Sequence, residues 1–185
     1  MPGLADLALD TPRLRLRPVA PDDAGALYAI FSDPQVMRYW STPPWNRPAL
    51  AGLMVRADVE DAAAGRAVRL AVLRLEDEDL IGTVSLFHLD RGSRRAEIGY
   101  ALRRDAWGHG YAGEAAAAVV GYAFTGLDLN RLEADIDPRN EASARLLDRL
   151  GFRQEGLLRQ RWIVADEICD SAWYGLLRED WTPPA

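Results

Sequence analysis

The chain has 185 residues, of which 49% are hydrophobic and 27% are charged, as in ordinary folded globular proteins. Its net charge of −6 and the lack of a basic stripe argue against a nucleic-acid partner. Because no apolar run approaches the roughly 20 residues that span a bilayer, we expect no membrane partner and a single domain over residues 1–185.

The first third of the chain predicts one strand, two helices and an aromatic loop. Residues 11–18 alternate leucine with arginine, which indicates a half-buried strand. A helix is expected to begin near Pro21, and a second one to end at Gly65. Between them, residues 34–48 hold four prolines and two tryptophans, which favours an ordered loop or a broken pair of helices.

The middle of the chain predicts an antiparallel meander. Strand-like runs cover residues 67–75, 80–89 and 96–102, and only short polar links separate them. A glycine-rich loop and an alanine-rich helix follow.

The last third predicts a strand at 131–136, a helix with Asn140 as its N-cap and Gly151 at its end, and two strands around 152–162 and 167–177. The whole pattern indicates an α+β fold with a mixed sheet.

The glycine-rich loop predicts a phosphate-binding site. Gly108, Gly110 and Gly113 stand directly before the helix, where free N–H groups and the helix dipole attract anions. A mononucleotide P-loop is excluded because all 22 basic residues are arginine and that motif needs a lysine. "GHGYAG", with Glu133 further along the chain, also fits a dinucleotide fingerprint. The preceding meander argues against a dinucleotide-binding oxidoreductase, which stays an alternative.

Several separated motifs resemble one enzyme family. "AEIGYALRRDAWGHGYAGEA", "NRLEADIDPRNEASARLLDRLGFRQEG" and "YGLLREDW" are similar to GNAT acetyltransferases, and the opening "TPRLRLRPVAPDDA" is similar to their RimJ/RimL-type branch, which acetylates N-termini of ribosomal proteins. The resemblance implies a mixed, mostly antiparallel seven-stranded sheet flanked by about four helices. It also implies acetyl-CoA as co-substrate, with the loop amides holding its pyrophosphate.

The same resemblance assigns residues to the coenzyme site. The family's loop pattern falls on residues 107–112, where tryptophan replaces the usual glutamine or arginine. The positions implied in coenzyme binding are Ile98, Tyr100, Ala101, Leu102, Trp107, Gly108, His109, Gly110, Tyr111, Ala112, Gly113, Asn140 and Ser143.

Two residues are candidates for the chemistry. Glu97 alternates with Ile98 and Tyr100 on its strand, and a carboxylate there can take the proton of an acceptor amine directly or through water. Leu147 stands where many relatives carry a tyrosine acid, so we expect Ser143 to contact the sulfur instead. An exposed strand carboxylate at 97 and a merely structural Ser143 are the competing interpretations.

The acceptor is expected to be an amine, on a small molecule or at a peptide N-terminus. Trp40 and Trp45 lie in the proline-rich loop that the family uses near its acceptor, and Trp162 and Trp173 are the next candidates. A non-catalytic acyl-CoA-binding module is the second alternative.

The sequence also gives expectations about a metal site, the cellular compartment and the oligomeric state. The two histidines, His88 and His109, form no ligand set with Cys169, so no metal is expected. The single cysteine and the lack of a secretory signal favour the cytoplasm, and we expect a monomer or a homodimer.

Overall fold

Eight strands form one sheet, and four α-helices cover it, in the computed structural model, which describes residues 3–183. The strands are β1 (Leu9–Asp10), β2 (Leu14–Pro18), β3 (Val68–Arg74), β4 (Leu80–Asp90), β5 (Arg95–Leu102), β6 (Arg131–Ile136), β7 (Arg153–Val164) and β8 (Glu167–Leu177). The helices are α1 (Ala24–Phe31), α2 (Ala49–Ala63), α3 (Tyr111–Thr125) and α4 (Glu141–Arg149).

The strand order is β1-β2-β3-β4-β5-β6-β8-β7, and the pairing is antiparallel except between β5 and β6. The meander predicted for β3, β4 and β5 is confirmed. Within residues 3–183, the parallel pair β5–β6 is joined by α3, and no doubly wound parallel sheet is built around it. The dinucleotide-binding alternative is therefore wrong for this fold.

The sheet has one strand more than the seven expected. Strand β1 contributes only Leu9 and Asp10, which pair with Leu16 and Arg15 of β2. Two residues are too few for an alternating pattern to be recognised in the sequence, since that signal needs four or more.

Helices cover both faces of the sheet because β3 alternates between two hydrophobic clusters. Leu70 and Val72 point into a large cluster with the alanines of α3, whereas Ala71 points into a smaller one with α1 and α2. The small side chains of α3, such as Ala115 and Ala116, are fully buried and let the helix approach the sheet closely. This packing fixes the start of α3 next to the end of β5.

The proline-rich segment before α2 is a loop of turns and bends, not a pair of helices. Its main chain is anchored where Trp45 N–H donates to the Phe31 carbonyl at 2.9 Å, and Met37 is buried in the smaller cluster. Across the described residues, no helix combines the length and hydrophobicity that crossing a membrane requires.

Candidate active site

The glycine-rich loop has the backbone that its glycines predicted. Gly108 and Gly110 both have left-handed φ angles, +79° and +80°, and Gly110 is the N-cap of α3. A Cβ added at Gly108 would meet no atom within 4 Å, so the loop is open to a ligand on that side. The first helical bond of α3 runs from Glu114 N–H to the Gly110 carbonyl at 3.1 Å. By helix geometry, the four preceding amides, at residues 110–113, lack helical partners and can bind an anion.

Arg13 and Glu114 fix this loop to the N-terminal strand region. The Arg13 guanidinium contacts the Glu114 carboxylate at 2.6 Å, donates to the His109 carbonyl at 3.0 Å and lies 4.7 Å from the centre of the Tyr111 ring. Thr11 also donates to Glu114, at 2.6 Å. Burial alone would raise the pKa of Glu114, but the hydrogen bonds from Thr11 and Arg13 outweigh it and hold that pKa below its ordinary value.

We call these contacts of Arg13 and Thr11 with Glu114 the tether of the loop. Sequence reasoning missed the tether because about 100 residues separate its partners. The one local signal was Glu114 itself, an acidic residue in the first turn of α3.

Trp107 connects the loop to the end of β5. Its indole Nε1 donates to the Leu102 carbonyl at 2.8 Å, while the ring stays 47% exposed. The side chain at the position that departs from the family pattern therefore caps a strand end and leaves the loop amides free. His109 and Tyr111 stack on the outer side of the loop, with ring centroids 5.7 Å apart.

Strands β5 and β6 separate beside the loop. They pair in register only from Arg95 to Glu97, opposite residues 131–133. Beyond Glu97 the two strands part, and a cavity of about 450 Å³ opens between them. Residues from both faces of β5 line it, namely Glu97, Ile98, Gly99 and Tyr100, so the cavity passes through the sheet. Ala101 and Leu102 are buried in the two clusters and lie outside its lining.

Helix α4 closes one side of the cavity. Asn140 Oδ1 accepts from Ser143 N–H at 3.1 Å, which confirms the predicted N-cap, and both residues line the cavity. The Tyr100 hydroxyl donates to the Ser143 carbonyl at 3.4 Å, and burial raises the pKa of Tyr100 to about 12. Leu147 is fully buried in the large cluster and offers no polar group to the cavity.

The two tryptophans of the proline-rich loop have different surroundings. Trp40 lines the cavity and packs edge-on against Phe31, with ring centroids 5.4 Å apart. Trp45 contacts the same Phe31 at 4.9 Å but does not line the cavity. The structure therefore brings Trp40, but not Trp45, together with Glu97.

A cluster around Asp135 forms another part of the wall, and sequence reasoning had named only its two tryptophans, Trp162 and Trp173. Asp135 accepts from Trp162 Nε1 at 3.3 Å and from the Ser171 hydroxyl, and it lies 3.2 Å from Arg161 Nε. The Arg161 guanidinium also lies over the rings of Trp162, at 5.4 Å, and Trp173, at 5.1 Å. Asp135 therefore orients both Arg161 and Trp162 in the cavity.

Arg139 joins three segments that line the cavity. It pairs with Asp137 at 2.6 Å after β6 and with Glu167 of β8, and its guanidinium lies 5.8 Å from the Tyr39 ring in the proline-rich loop. Burial would raise the pKa of Asp137, but hydrogen bonds from Arg139 lower it. Nothing in the local pattern "DPRN" indicated this contact, because Tyr39 and Glu167 are remote in the sequence.

A helix start with free amides beside two parting strands can bind a phosphate-bearing ligand next to a cavity for a second substrate, an arrangement that fits a group-transfer enzyme. The chain belongs to the GNAT acetyltransferase family, since the family model described as "Acetyltransferase (GNAT) domain" matches residues 13–153. The protein is thus an N-acetyltransferase by family, and the resemblance read from its motifs is confirmed at that level.

Individual relatives agree with this assignment. The chain is 36% identical over 173 residues to the uncharacterized N-acetyltransferase p20 of Bacillus licheniformis, covering 94% of this chain and 97% of that one. The crystal structure of a GNAT-family acetyltransferase from Bacillus anthracis superposes with a TM-score of 0.84 at 25% identity, covering 94% of this chain and 99% of the other.

Two relatives have names that state an acceptor. A putative ribosomal N-acetyltransferase of Bacillus subtilis, YdaF, is 36% identical over 107 residues, or 58% of each chain. The spermidine N(1)-acetyltransferase of Escherichia coli K12 is 27% identical over 151 residues, or 82% of this chain and 78% of that one.

Proposed function

We propose that the protein transfers the acetyl group of acetyl-CoA directly to a primary amine, with Glu97 as general base. The observation that carries this proposal is the position of Glu97. It is the last residue of β5 that pairs with β6, and its carboxylate lines the cavity that opens where the strands part. Its side chain is only 13% exposed, so the carboxylate faces the cavity more than bulk water.

The residues of the glycine-rich loop fit acetyl-CoA. The left-handed Gly108 and Gly110 leave the amides of residues 110–113 free of side chains that would cover them, and the dipole of the 15-residue helix α3 favours a pyrophosphate there. Arg13 holds the loop in this conformation through the His109 carbonyl and the Glu114 carboxylate. The unpaired edge of β5 beyond Glu97 would hold the pantetheine chain, which leads towards Asn140 and Ser143.

In the proposed reaction, acetyl-CoA supplies the thioester, and side chains of the protein remove the amine proton and stabilise the leaving thiolate. Glu97 takes a proton from the acceptor nitrogen as the N–C bond forms and the C–S bond breaks. The Ser143 hydroxyl donates a hydrogen bond to the departing sulfur. The Tyr100 hydroxyl donates to the Ser143 carbonyl, and burial raises its pKa to about 12, so we assign it the role of holding the start of α4.

The cavity suits an amine that carries positive charge. Its charged lining consists of the carboxylates of Glu97, Asp135, Asp137, Glu167 and Asp170 and the guanidinium groups of Arg38, Arg69 and Arg161. Trp40 and Trp162 supply flat apolar walls. A cavity of about 450 Å³ has the size of a small-molecule site. The relative named for spermidine makes polyamines one acceptor class to test first. The relative named as a ribosomal acetyltransferase adds the N-termini of ribosomal proteins, which are also the acceptor of the RimJ/RimL-type branch.

Thiol release from acetyl-CoA tests the proposal. The panel contains spermidine, a monoamine, and peptides that begin with alanine or serine, and each is compared with a reaction without acceptor. We expect acceptor-dependent release, and Glu97→Gln should lower kcat by about 100-fold, within the usual range for a positioned base. The loss should shrink at high pH, where more of the acceptor is already the free amine.

Glu76→Gln is the matched control, because Glu76 lies in an exposed turn outside the cavity. Near-wild-type turnover of Glu97→Gln at neutral pH would show that Glu97 is not the base. Release that never depends on any amine would refute acetyl transfer to an amine.

A further inference from the structure

His88 stands in an unusual backbone position next to Glu97. It lies where the register between β4 and β5 shifts, after Phe87, and its φ angle is +50°. A positive φ is uncommon in residues other than glycine and is a strained conformation for most side chains. Such a bulge changes the direction of a side chain on a strand.

The bulge brings the His88 ring to the Glu97 carboxylate. Phe87 is the partner of Glu97 across the ladder, so in a regular strand His88 would point to the other face. Instead His88 Nδ1 lies 2.7 Å from Glu97 Oε1, and both residues line the cavity. The two side chains differ in exposure, since that of His88 is 69% exposed and that of Glu97 only 13%. The ring therefore connects a nearly buried carboxylate with solvent.

We propose that His88 carries the proton from Glu97 to solvent after each turnover, and we call it the proton exit of the site. This proposal rests on the proposed role of Glu97 as base. Glu97 must lose the proton it has taken before the next turnover. The Glu97 O–H bond breaks as a bond to Nδ1 of neutral His88 forms. The resulting imidazolium then releases the Nε2 proton to water. Rotation of the exposed ring turns Nδ1–H from Glu97 to the solvent, where proton exchange restores the starting tautomer. The imidazole is suited to this step because one ring nitrogen can accept a proton while the other releases one.

The other charged groups around the pair already have partners. Asp90, on the same strand as His88, accepts from Ser93 N–H, and Glu133 of β6 pairs with Arg95 at 2.8 Å. Arg69 of β3, which lines the cavity, pairs with Asp58 at 2.7 Å. The remaining charged side chains of the lining lie on the proline-rich loop, at the end of β6 and on the β7–β8 hairpin, and they are Arg38, Asp135, Asp137, Arg161, Glu167 and Asp170. The contact between Glu97 and His88 is thus the direct link from the base to an exposed titratable group.

His88→Asn separates proton transfer from the shape of the bulge. Asparagine tolerates a positive φ and can still donate a hydrogen bond to Glu97, but it cannot carry a proton. We expect kcat in dilute buffer to fall about tenfold, with the KM for acetyl-CoA unchanged. Added imidazole should restore the rate in proportion to its concentration, both in this variant and in His88→Ala. Glu78→Asn, at another exposed positive φ of +57° outside the cavity, is the matched control and should behave like the wild type in every buffer.

The outcomes separate this inference from the proposed function. A wild-type rate for His88→Asn in dilute buffer, with Glu97→Gln still impaired, would refute the proton exit alone. A slow His88→Asn that imidazole does not restore would also refute it, because the residue would then act through structure. If Glu97→Gln kept its activity while His88→Asn lost it, His88 itself would be the base, and both proposals would be wrong.

Discussion

The glycine-rich loop, proposed to hold the coenzyme, and the cavity, proposed to hold the acceptor, are built in different ways. On the coenzyme side, one continuous stretch forms the loop and the start of α3, and the ligand contacts expected there come from main-chain amides. Around the cavity, side chains from the proline-rich loop, β6 and the β7–β8 hairpin face the proposed acceptor, while β5 and α4 face both the acceptor and the proposed pantetheine path. A main-chain site depends on a few glycines and tolerates side-chain change, whereas a side-chain site depends on every partner that positions it.

The comparison predicts the largest effect at Gly110. Gly110→Asp should abolish the rise in melting temperature that acetyl-CoA produces by binding the native state, because it places a side chain and a negative charge beside the expected pyrophosphate position. It would also force a residue with a Cβ to φ +80°. Thermal unfolding with and without acetyl-CoA measures this.

Gly52→Asp is the control for Gly110→Asp, since Gly52 is exposed on α2 and has no atom within 4 Å of an added Cβ. If acetyl-CoA still raised the melting temperature of Gly110→Asp, the pyrophosphate would have to bind elsewhere than in this loop. NAD, tested in parallel, should give no shift with either protein.

A smaller effect is expected at the tether of the loop. Arg13→Ala removes the contacts to Glu114 and to the His109 carbonyl, so the loop amides lose part of their preorganisation. We expect the Kd for acetyl-CoA to rise about tenfold, or about 1.4 kcal/mol, while kcat at saturation changes little. Titration calorimetry measures the Kd.

Arg15→Ala is the matched control, because Arg15 pairs with exposed Asp10 and lies outside the loop. Equal Kd values for Arg13→Ala and the wild type would show that the glycines hold the loop without the tether.

The two sides also differ in how far the sequence predicted them. The glycine loop, the cap at Asn140 and the meander of strands β3 to β5 depend on neighbours in the chain, so local patterns were sufficient. The contacts Arg13–Glu114, Arg139–Glu167 and Asp135–Arg161 join residues that are distant in sequence, and the pattern around each partner looks like an ordinary charged surface. The bulge at His88 was missed for a related reason, because only the ladder with β5 shows that a residue is out of register.

On the acceptor side, Trp40 is expected to act on the acceptor alone. Trp40→Ala removes one flat wall of the cavity, and we expect the acceptor KM to rise several-fold, since a rigid aromatic side chain contributes contact area at low entropic cost. The Kd for acetyl-CoA should stay within twofold of the wild type. Steady-state kinetics with the best amine of the panel measure this. An unchanged acceptor KM would place the acceptor nearer to Trp162 on the hairpin.

We expect Trp45→Ala to have the smallest effect on the reaction, in contrast to the change in acceptor KM expected for Trp40→Ala. Both rings contact Phe31, but Trp45 lies outside the cavity lining, and its ring packs on Phe31 with the centroids 4.9 Å apart. Trp45→Ala should therefore act mainly on stability. A loss of about 2 kcal/mol, below the cost for a fully buried tryptophan, lowers Tm by roughly 5 °C in a chain of this size. Kinetics well below the new Tm should show the wild-type acceptor KM. If that KM instead rose as much as in Trp40→Ala, Trp45 would belong to the acceptor site as the sequence first suggested, and the loop would shape the cavity as one unit.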